Sequence, residues 1–497
     1  MSFVCLVDTF PRVGLEEQRE FTSQLDLTFQ LDSTSLLVFF TLQVPDDHHC
    51  PFLTSDMSST GDASGEESSS EYDSLSDEEF IKEESVSPEP ESPKEFPKTG
   101  FKLLDPNIKI EEERFAYYDS GIFYHVHIGD VLNDRYQVIT KLGYGSVSTT
   151  WLAKDLKEHR YVTLKVYVHG ESSSEFNCYY HLTSSGLVSE STHRGRLSIR
   201  IAESRFQVFG PKGAHDVFVL LPLSLCVRAL QLQLEDRLFR EAIVVMISQS
   251  VLHALDYLHT HAKVIHCDVH GGNILLKFSD DSAVSLYEQV EFNSPSPRKI
   301  CPDGRIIHTS RQIYNSRPTA ILCDFSSARI CRLDQPQTGL PPMPEQYRPP
   351  EVILGMEFGY KIDMWCFAIA TFRMLTNRSI FPLYTEDDPL NEARHLAAMQ
   401  ALMGPPPLSF YQKSERAHLY WNDNCEWVGP VDLFPSTFTL ESMLPRPLQG
   451  EKAVLFLDFM NKILRWEPEE RLDAASALKH PWAHRHSTEN GLVPIEN

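Results

Sequence analysis

One short stretch in the middle of the chain constrains the fold and the chemistry more than any other. Residues 264–276 read VIHCDVHGGNILL, in which an apolar lead is followed by a turn dense in polar groups and then by a second apolar run. Asp268 and Asn273 lie on this turn, and Gly271 and Gly272 between them let the backbone fold back tightly. The turn therefore presents two fixed side-chain oxygens. Taken alone, the stretch is also compatible with a polar turn between two strands.

A glycine turn precedes this stretch. Three β-branched and aromatic runs predict successive strands at residues 136–140, 148–153 and 161–168. The turn between the first two strands has the pattern GxGxxS, with Gly143, Gly145 and Ser148. Glycines in such a turn let backbone amides approach phosphate groups that a β-carbon would push away. An ordinary hairpin turn is the alternative.

Two charged residues near this turn are expected to be partners. Lys165 interrupts the apolar run VTLKV, where burial of an ammonium group requires an anionic group nearby. Farther along, Glu175, Cys178, Tyr179 and Leu182 recur at helical spacing, so we expect Glu175 to face Lys165 from a helix. The alternatives are an edge-strand lysine that points to solvent and an exposed helical glutamate.

The second half of the chain contains further polar residues in apolar surroundings. An irregular stretch, residues 277–319, leads to ILCDFSSA, an apolar strand that ends on Asp324. Asp363 is expected to cap a helix of core-like residues. Arg471 is expected to form a buried ion pair with Glu351, a structural contact that is costly to break.

Charge and cysteine usage limit the compartment and the partners. The net charge is −24, and residues 1–100 alone hold 22 acidic against 5 basic residues. This Ser-rich, acidic segment is predicted to be a disordered tail with candidate phosphorylation sites; a solvated linker without a role is the alternative. The ten cysteines form no CxxC pair, and no uncharged apolar run reaches ~18 residues, so we expect no zinc knuckle and no membrane span. A monomer in the cytoplasm, the nucleus or both, without direct nucleic-acid binding, is expected.

Taken together in chain order, these stretches resemble a known family. The glycine turn, VTLKV, VIHCDVHGGNILL, the DF at Asp324, EQYRPPEVILG and the helix beginning DMW make residues 125–485 similar to the SR-protein kinases of the CMGC group, in a divergent, fungal-type version. The resemblance implies an α+β, bilobal protein-kinase-like fold. Its parts would be a small β-rich N lobe at residues 120–222, a larger helical C lobe at 223–485 with a spacer insert at about 277–319, and a short tail at 486–497.

The resemblance also implies a reaction, with ATP and Mg²⁺ as cofactors. The implied roles are phosphate binding by Gly143, Gly145, Ser148 and Lys165, orientation of Lys165 by Glu175, proton acceptance by Asp268 with His270 beside it, and metal binding by Asn273 and Asp324. The implied activity is that of an ATP-dependent Ser/Thr protein kinase. Arg/Ser-rich protein substrates, and through them the regulation of mRNA splicing, belong to the same implication.

Several positions depart from the family pattern. His270 replaces a lysine that neutralises the γ-phosphate, Ser326 replaces the DFG glycine, Pro344 replaces a threonine of the activation segment, and Thr150 replaces a valine that packs on adenine. An unperturbed histidine, with a pKa near ~6.5, would be mostly neutral at neutral pH and above. Two hypotheses therefore stay open: an active kinase and a pseudokinase that acts as an interaction scaffold. PPEVILG and the DMW helix disfavour a small-molecule kinase.

An acidic run follows the DMW helix. Glu386, Asp387, Asp388 and Glu392 stand where the family attracts Arg-rich substrates, although a charge run of this kind is often only a solvated surface.

Overall fold

The computed structural model describes residues 89–494, apart from gaps at 119–120, 172, 185, 279, 313–315, 332–335, 386–387, 447 and 489–490. Its first half is built on a six-stranded antiparallel sheet with the strand order β1-β2-β3-β4-β6-β5. The strands are β1 (Val131–Leu132), β2 (Tyr136–Tyr144), β3 (Ser148–Asp155), β4 (Arg160–Tyr167), β5 (Ala202–Gly210) and β6 (Gly213–Leu220). Helix α1 (Ser173–Ser184) lies between β4 and β5 in the chain. The three strands predicted from the sequence are thus confirmed; the first two extend a few residues further, and the third is shifted by one residue.

The register of this sheet decides which side chains face the second half of the molecule. Lys165 on β4 lies opposite Thr150 on β3 and Phe218 on β6, so these three side chains share one face. The neighbouring residues on β3 and β4, Trp151 and Leu164, point the other way into a separate apolar cluster of the sheet. The face that carries Lys165 is therefore the one that meets helix α1 and the C lobe.

The second half is mainly helical, and its centre is one almost completely buried helix. The elements from the lobe connection onward are α2 (Val227–Gln233), α3 (Glu241–Asp256), β7 (Val264–Ile265), β8 (Ile274–Phe278), α4 (Asp281–Asn293), β9 (Arg298–Ile300), β10 (Ile306–His308), β11 (Ser316–Leu322), β12 (Arg329–Ile330), α5 (Pro350–Ile353), α6 (Lys361–Thr376), α7 (Asn391–Met403), α8 (Leu408–Tyr411), α9 (Glu451–Ile463), α10 (Ala474–Leu478), β13 (Arg485–Thr488) and β14 (Gly491–Pro494). Nearly every residue of α6 is buried, and Trp365 and Phe372 are among its fully enclosed side chains. Such a helix fixes the elements around it, because each of them packs on a different side of it.

Helix α3 continues through a π-helical turn, Tyr257–Ala262, into the stretch that contains Asp268. Within the described residues, Glu241–Ala262 is long and apolar enough by composition to cross a membrane, and 61% of its most apolar window is buried inside the fold. The core helix of a globular protein has these same properties, and this helix contributes its apolar stripe to the main core.

The spacer at 277–319 differs from the sequence interpretation, which treated it as irregular. It contains α4 and the β9–β10 hairpin, and α4 packs on the N lobe. The Phe292 ring stacks on Phe96 at 4.4 Å, and the Tyr161 hydroxyl donates to Glu288 at 2.8 Å. Glu288 and Glu291 are both buried on the packed face of α4. These buried carboxylates interrupt the apolar periodicity, which is why the helix was not predicted.

The boundaries at both ends of the folded body also differ from the expected ones. Residues 89–100 were assigned to the acidic tail, but Phe96 among them is buried. Residues 1–88 of that predicted disordered tail lie outside the described residues. At the other end, part of the short tail expected at 486–497 contributes to the hairpin of β13 and β14. Arg485, the first residue of this hairpin, donates a hydrogen bond to Glu241 of α3 at 2.7 Å.

Candidate active site

Asp363, in the first turn of α6, holds the turn that carries Asp268 in place through hydrogen bonds. The Asp363 carboxylate accepts the backbone N–H groups of His266 and Cys267, both at 2.8 Å, and contacts His259 Nε2 at 2.9 Å. Asp363 is fully buried. The sequence interpretation gave it a helix-capping role, which is wrong, because Tyr360 occupies the capping position. The sequence did contain a signal for this role: a carboxylate in so apolar a helix is expected to be buried and to accept hydrogen bonds from buried donors.

Asp268 and Asn273 meet as the sequence suggested. The Asn273 side-chain amide donates to Asp268 Oδ2 at 2.8 Å and to the Asp268 carbonyl at 2.9 Å. The other carboxylate oxygen, Asp268 Oδ1, is buried and has no hydrogen-bond partner among the described residues. A buried carboxylate oxygen without a donor is costly unless a ligand supplies one. Asp268 Oδ1 is therefore available to a group that enters the site.

Lys165 lies between two carboxylates that come from different elements. Its ammonium group is 2.6 Å from Glu175 Oε2 on α1 and 3.3 Å from Asp324 Oδ1 after β11. Burial disfavours the charged ammonium, but the Asp324 and Glu175 carboxylates outweigh burial and raise the pKa of Lys165. Glu175 is itself fixed by the Tyr179 hydroxyl at 2.8 Å. Lys165 is thus a buried, fully charged cation, which excludes the solvent-facing alternative for both residues.

Asp324 is placed beside Asn273 by the backbone. The Cys323 N–H donates to the Asn273 carbonyl at 2.8 Å, which joins the end of β11 to the Asp268 turn. Asp324 itself takes a left-handed backbone conformation, with φ at 65°, whereas Ser326 does not. The Ser326 N–H donates to Asp324 Oδ1 at 3.3 Å, and the Ser174 hydroxyl of α1 donates to the Ser326 carbonyl at 2.7 Å. In this conformation the residue at 326 needs no glycine freedom.

The glycine turn forms the tip of the β2–β3 hairpin. The Gly145 N–H donates to the Ser148 carbonyl at 2.8 Å, which closes the turn. Gly143 pairs with Thr150, and a β-carbon on Gly143 would come within 3.3 Å of the Thr150 hydroxyl. Ser148 is buried, and its hydroxyl has no hydrogen-bond partner within the part of the chain that the structure describes. The turn is therefore tight and rich in backbone amides, as binding of phosphates requires.

His270 contacts the carboxylate of Asp268 directly. Its Nδ1 accepts the Gly272 N–H at 3.0 Å, and its Nε2 lies 3.4 Å from Asp268 Oδ2, an ion-pair contact without hydrogen-bond alignment. Burial lowers the pKa of His270, but the Asp268 carboxylate outweighs burial, and the net result is a raised pKa. The expectation of an unperturbed imidazole is therefore wrong. His270 keeps a positive charge to a higher pH than a free histidine does.

The segment that follows Asp324 is anchored by the expected ion pair. Arg471 binds Glu351 with two bonds of 2.6 and 2.7 Å, and both side chains are almost fully buried. The Arg471 guanidinium also lies 5.0 Å above the centre of the Trp365 ring of α6. This pair joins the PPE segment to the C lobe core.

Asn273 and Asp324 are the candidate metal ligands of this site. Among the described residues, no group of three or more His, Cys, Asp and Glu side chains could hold a metal on its own. Mg²⁺ is usually bound by one or two carboxylates together with phosphates and water, rather than by a cage of protein groups. Asn273 and Asp324 would hold it, and Lys165 and the glycine turn would bind the phosphates. The donor set therefore fits magnesium bound together with a nucleotide.

Comparisons with known proteins identify the family and the fold. Residues 136–483 match the family described as the protein kinase domain. A serine/threonine protein kinase of Aspergillus fumigatus is 34% identical over 396 residues, covering 77% of this chain and 93% of that protein. The serine/threonine-protein kinase SRPK of Physarum polycephalum is 27% identical, covering 75% of this chain and 91% of that protein. A kinase-domain crystal structure has a TM-score of 0.55 at 21% identity, covering 73% of this chain and 100% of that one, and shows the fold alone.

Proposed function

The chain belongs to the protein kinase domain family, and we propose that it is a catalytically active serine/threonine kinase that uses ATP and Mg²⁺ to phosphorylate Arg/Ser-rich proteins. One observation carries the catalytic part of this proposal. Asp268 Oδ1 is a buried carboxylate oxygen without a partner, while Asp268 Oδ2 is held by Asn273. A scaffold would have no use for an unsatisfied buried carboxylate oxygen, because leaving such a group unpaired costs stability.

The residues of the chain divide the chemistry among them. Asp268 accepts the proton of the substrate hydroxyl through Oδ1, and the amide of Asn273 keeps the carboxylate from rotating away. Lys165 would hold phosphate oxygens with a charge that Glu175 keeps in position. Asn273 and Asp324 would hold the metal. Magnesium–ATP, when bound, supplies the γ-phosphoryl group and neutralises part of its charge.

Acidic residues near the C lobe surface support Arg-rich substrates. Glu345 of the PEQYRPPE segment and Glu392 line one pocket, and Asp388 lies just before α7, while Glu386 and Asp387 of the same run lie outside the described residues. Glu392 already pairs with Arg416 at 2.6 Å, and Glu345 lies 3.6 Å from Arg348. The electrostatic attraction for an Arg-rich substrate would therefore come from the combined negative charge of the acidic residues rather than from one of them. Salt should weaken this attraction.

The test compares phosphate transfer from labelled ATP to an Arg-Ser repeat peptide and to a Lys-Ser repeat peptide of the same length. We expect faster transfer to the Arg-Ser peptide, with a KM that rises with salt, because guanidinium groups bind carboxylates in a bidentate way and ammonium groups do not. Equal transfer to both peptides would contradict the Arg/Ser preference. Magnesium–ATP binding without transfer to any protein substrate would contradict the kinase proposal and favour a pseudokinase. A role in splicing, a cytoplasmic or nuclear location and a monomeric state are further parts of the proposal.

A further inference from the structure

A short segment ahead of the N lobe reaches the tip of the glycine turn. This segment, residues 111–118, is called the strap here; it begins with a 3-10 turn at Glu111–Arg114. It lies before the expected start of the N lobe at residue 120, so no role was predicted for it. Its contacts fall into two groups, an anchor and a tip.

The anchor consists of buried ion pairs. Lys141 of β2, with only 1% of its side chain exposed, pairs with Glu112 and lies 3.4 Å from Glu111. Lys299 of β9 pairs with Glu113 at 2.8 Å. Burial disfavours the charge on Lys141, but Glu112 and Glu111 raise its pKa. The strap is thus fixed to the sheet and to the spacer, since removing it would leave buried ammonium groups without partners.

The tip contacts the glycine turn through aromatic residues. The Tyr117 hydroxyl donates to the Ser146 carbonyl at 3.2 Å, between Gly145 and Val147. The Phe115 ring stacks on Tyr117 at 5.4 Å and meets the Tyr144 ring edge-on at 6.0 Å. A turn with two glycines loses much conformational entropy when it is ordered. A hydrogen bond from an anchored segment orders the turn in advance, so less conformational entropy is lost when a nucleotide binds.

We propose that the strap orders the glycine turn for nucleotide binding, with Tyr117 and Phe115 as positioning residues. This inference rests on the proposed function, because it names what sets the affinity of the same site for ATP. The turn would contact the nucleotide both before and during phosphoryl transfer, so we expect the strap to act on KM and to leave kcat unchanged. Tyr117 does not touch the reacting atoms.

The experiment uses the full chain with Tyr117→Phe and, as a matched control, Tyr118→Phe. Tyr118 is the next residue of the strap, and its hydroxyl accepts a bond from Arg305 of the spacer at 2.7 Å instead of contacting the turn. Each variant loses one hydrogen bond and keeps its ring. Hydrogen exchange at residues 143–148 without nucleotide, Kd for magnesium–ATP by calorimetry, and kcat and KM are measured.

For Tyr117→Phe we expect faster exchange in the turn, and a Kd and KM for ATP raised about twofold to tenfold, the factor that corresponds to one net hydrogen bond. kcat should stay within about twofold of wild type, and Tyr118→Phe should change neither the turn nor Kd. Equal behaviour of the two variants in the turn would overturn the inference, and so would a loosened turn with an unchanged Kd. A wild type that binds no magnesium–ATP would instead overturn the proposed function, while turn exchange would still report on the strap.

Discussion

His270 should make the rate of this kinase depend on pH, because it stands at the position where the family pattern has a lysine. Its Nε2 lies 3.4 Å from Asp268 Oδ2, with about a tenth of the ring side chain exposed. At an effective dielectric constant of ~20, this separation corresponds to an attraction of about 5 kcal/mol between unit charges. Burial opposes the charged ring, but the Asp268 carboxylate prevails and the pKa of His270 is raised.

A raised pKa fixes the direction of the effect. Below that pKa the ring is charged and can neutralise the γ-phosphate; as the pH rises through it, the charge disappears and turnover falls. Loss of a positioned donor costs ~2.7 to 4 kcal/mol, or 10² to 10³ in rate. A neutral imidazole keeps one N–H donor, so we expect a fall of about 10-fold to 10²-fold. The lysine in His270→Lys stays charged at these pH values, and its rate should remain level where the wild type declines.

The assay measures kcat at saturating magnesium–ATP from pH ~6.5 to ~9, with His418→Lys, an exposed histidine of the C lobe, as the control. Equal pH profiles for wild type and His270→Lys would refute this account of His270. Stability gives an independent readout. Because folding raises the pKa of His270, its stabilising contribution is fully present below the unfolded value of ~6.5 and is lost as the pH rises through the folded value. His270→Gln should therefore reduce the decline in unfolding free energy over that upper range.

Three further predictions follow from buried charges. Glu351→Gln leaves Arg471 buried without its charged partner. In chemical denaturation, the free energy of unfolding should fall by about 3 to 5 kcal/mol. A loss below ~1 kcal/mol would contradict the burial of the pair. Asp363→Asn weakens the hydrogen bonds to the His266 and Cys267 N–H groups that hold the Asp268 turn. We therefore expect kcat to fall by at least about tenfold while KM for ATP changes little. A changed KM with an unchanged kcat would assign Asp363 another role. Deletion of residues 1–118 should lower the melting temperature sharply, because Lys141 and Lys299 lose their partners. Deletion of residues 1–88 should leave the melting temperature close to that of the full chain. Equal melting temperatures for the two deletions would contradict the anchoring of the strap.

The sequence predicted those parts of the site in which a charge interrupts an apolar pattern. Lys165 in VTLKV stands out because its burial requires an anionic partner, and Asp324 stands out because it ends the apolar strand ILCD. The structure brings the two within 3.3 Å of each other. The Asp268 turn was predictable because its spacing is local. In each case a few neighbouring residues contained the necessary information.

The missed features depend on contacts between distant segments. Helix α4 buries Glu288 and Glu291 against Tyr161 and Thr140 of the N lobe, so its packed face does not look apolar in sequence. The strap is rich in glutamate and looks solvated, because its partners Lys141 and Lys299 come from elsewhere in the chain. The raised pKa of His270 likewise depends on a distance that only the folded turn defines. Periodicity and composition carry no information about such pairings.

Phosphoryl transfer by Asp268→Asn, compared with wild type, shows whether Asp268 is the catalytic base. Both proteins are given labelled ATP, magnesium and an Arg-Ser peptide, and Kd for magnesium–ATP is measured on the same samples. We expect Kd to stay within about threefold of wild type and transfer to fall by about 10² to 10⁴, because a general base acts in the transition state and contributes little to ground-state binding. Transfer by Asp268→Asn within about tenfold of wild type would contradict the assignment of Asp268 as the base.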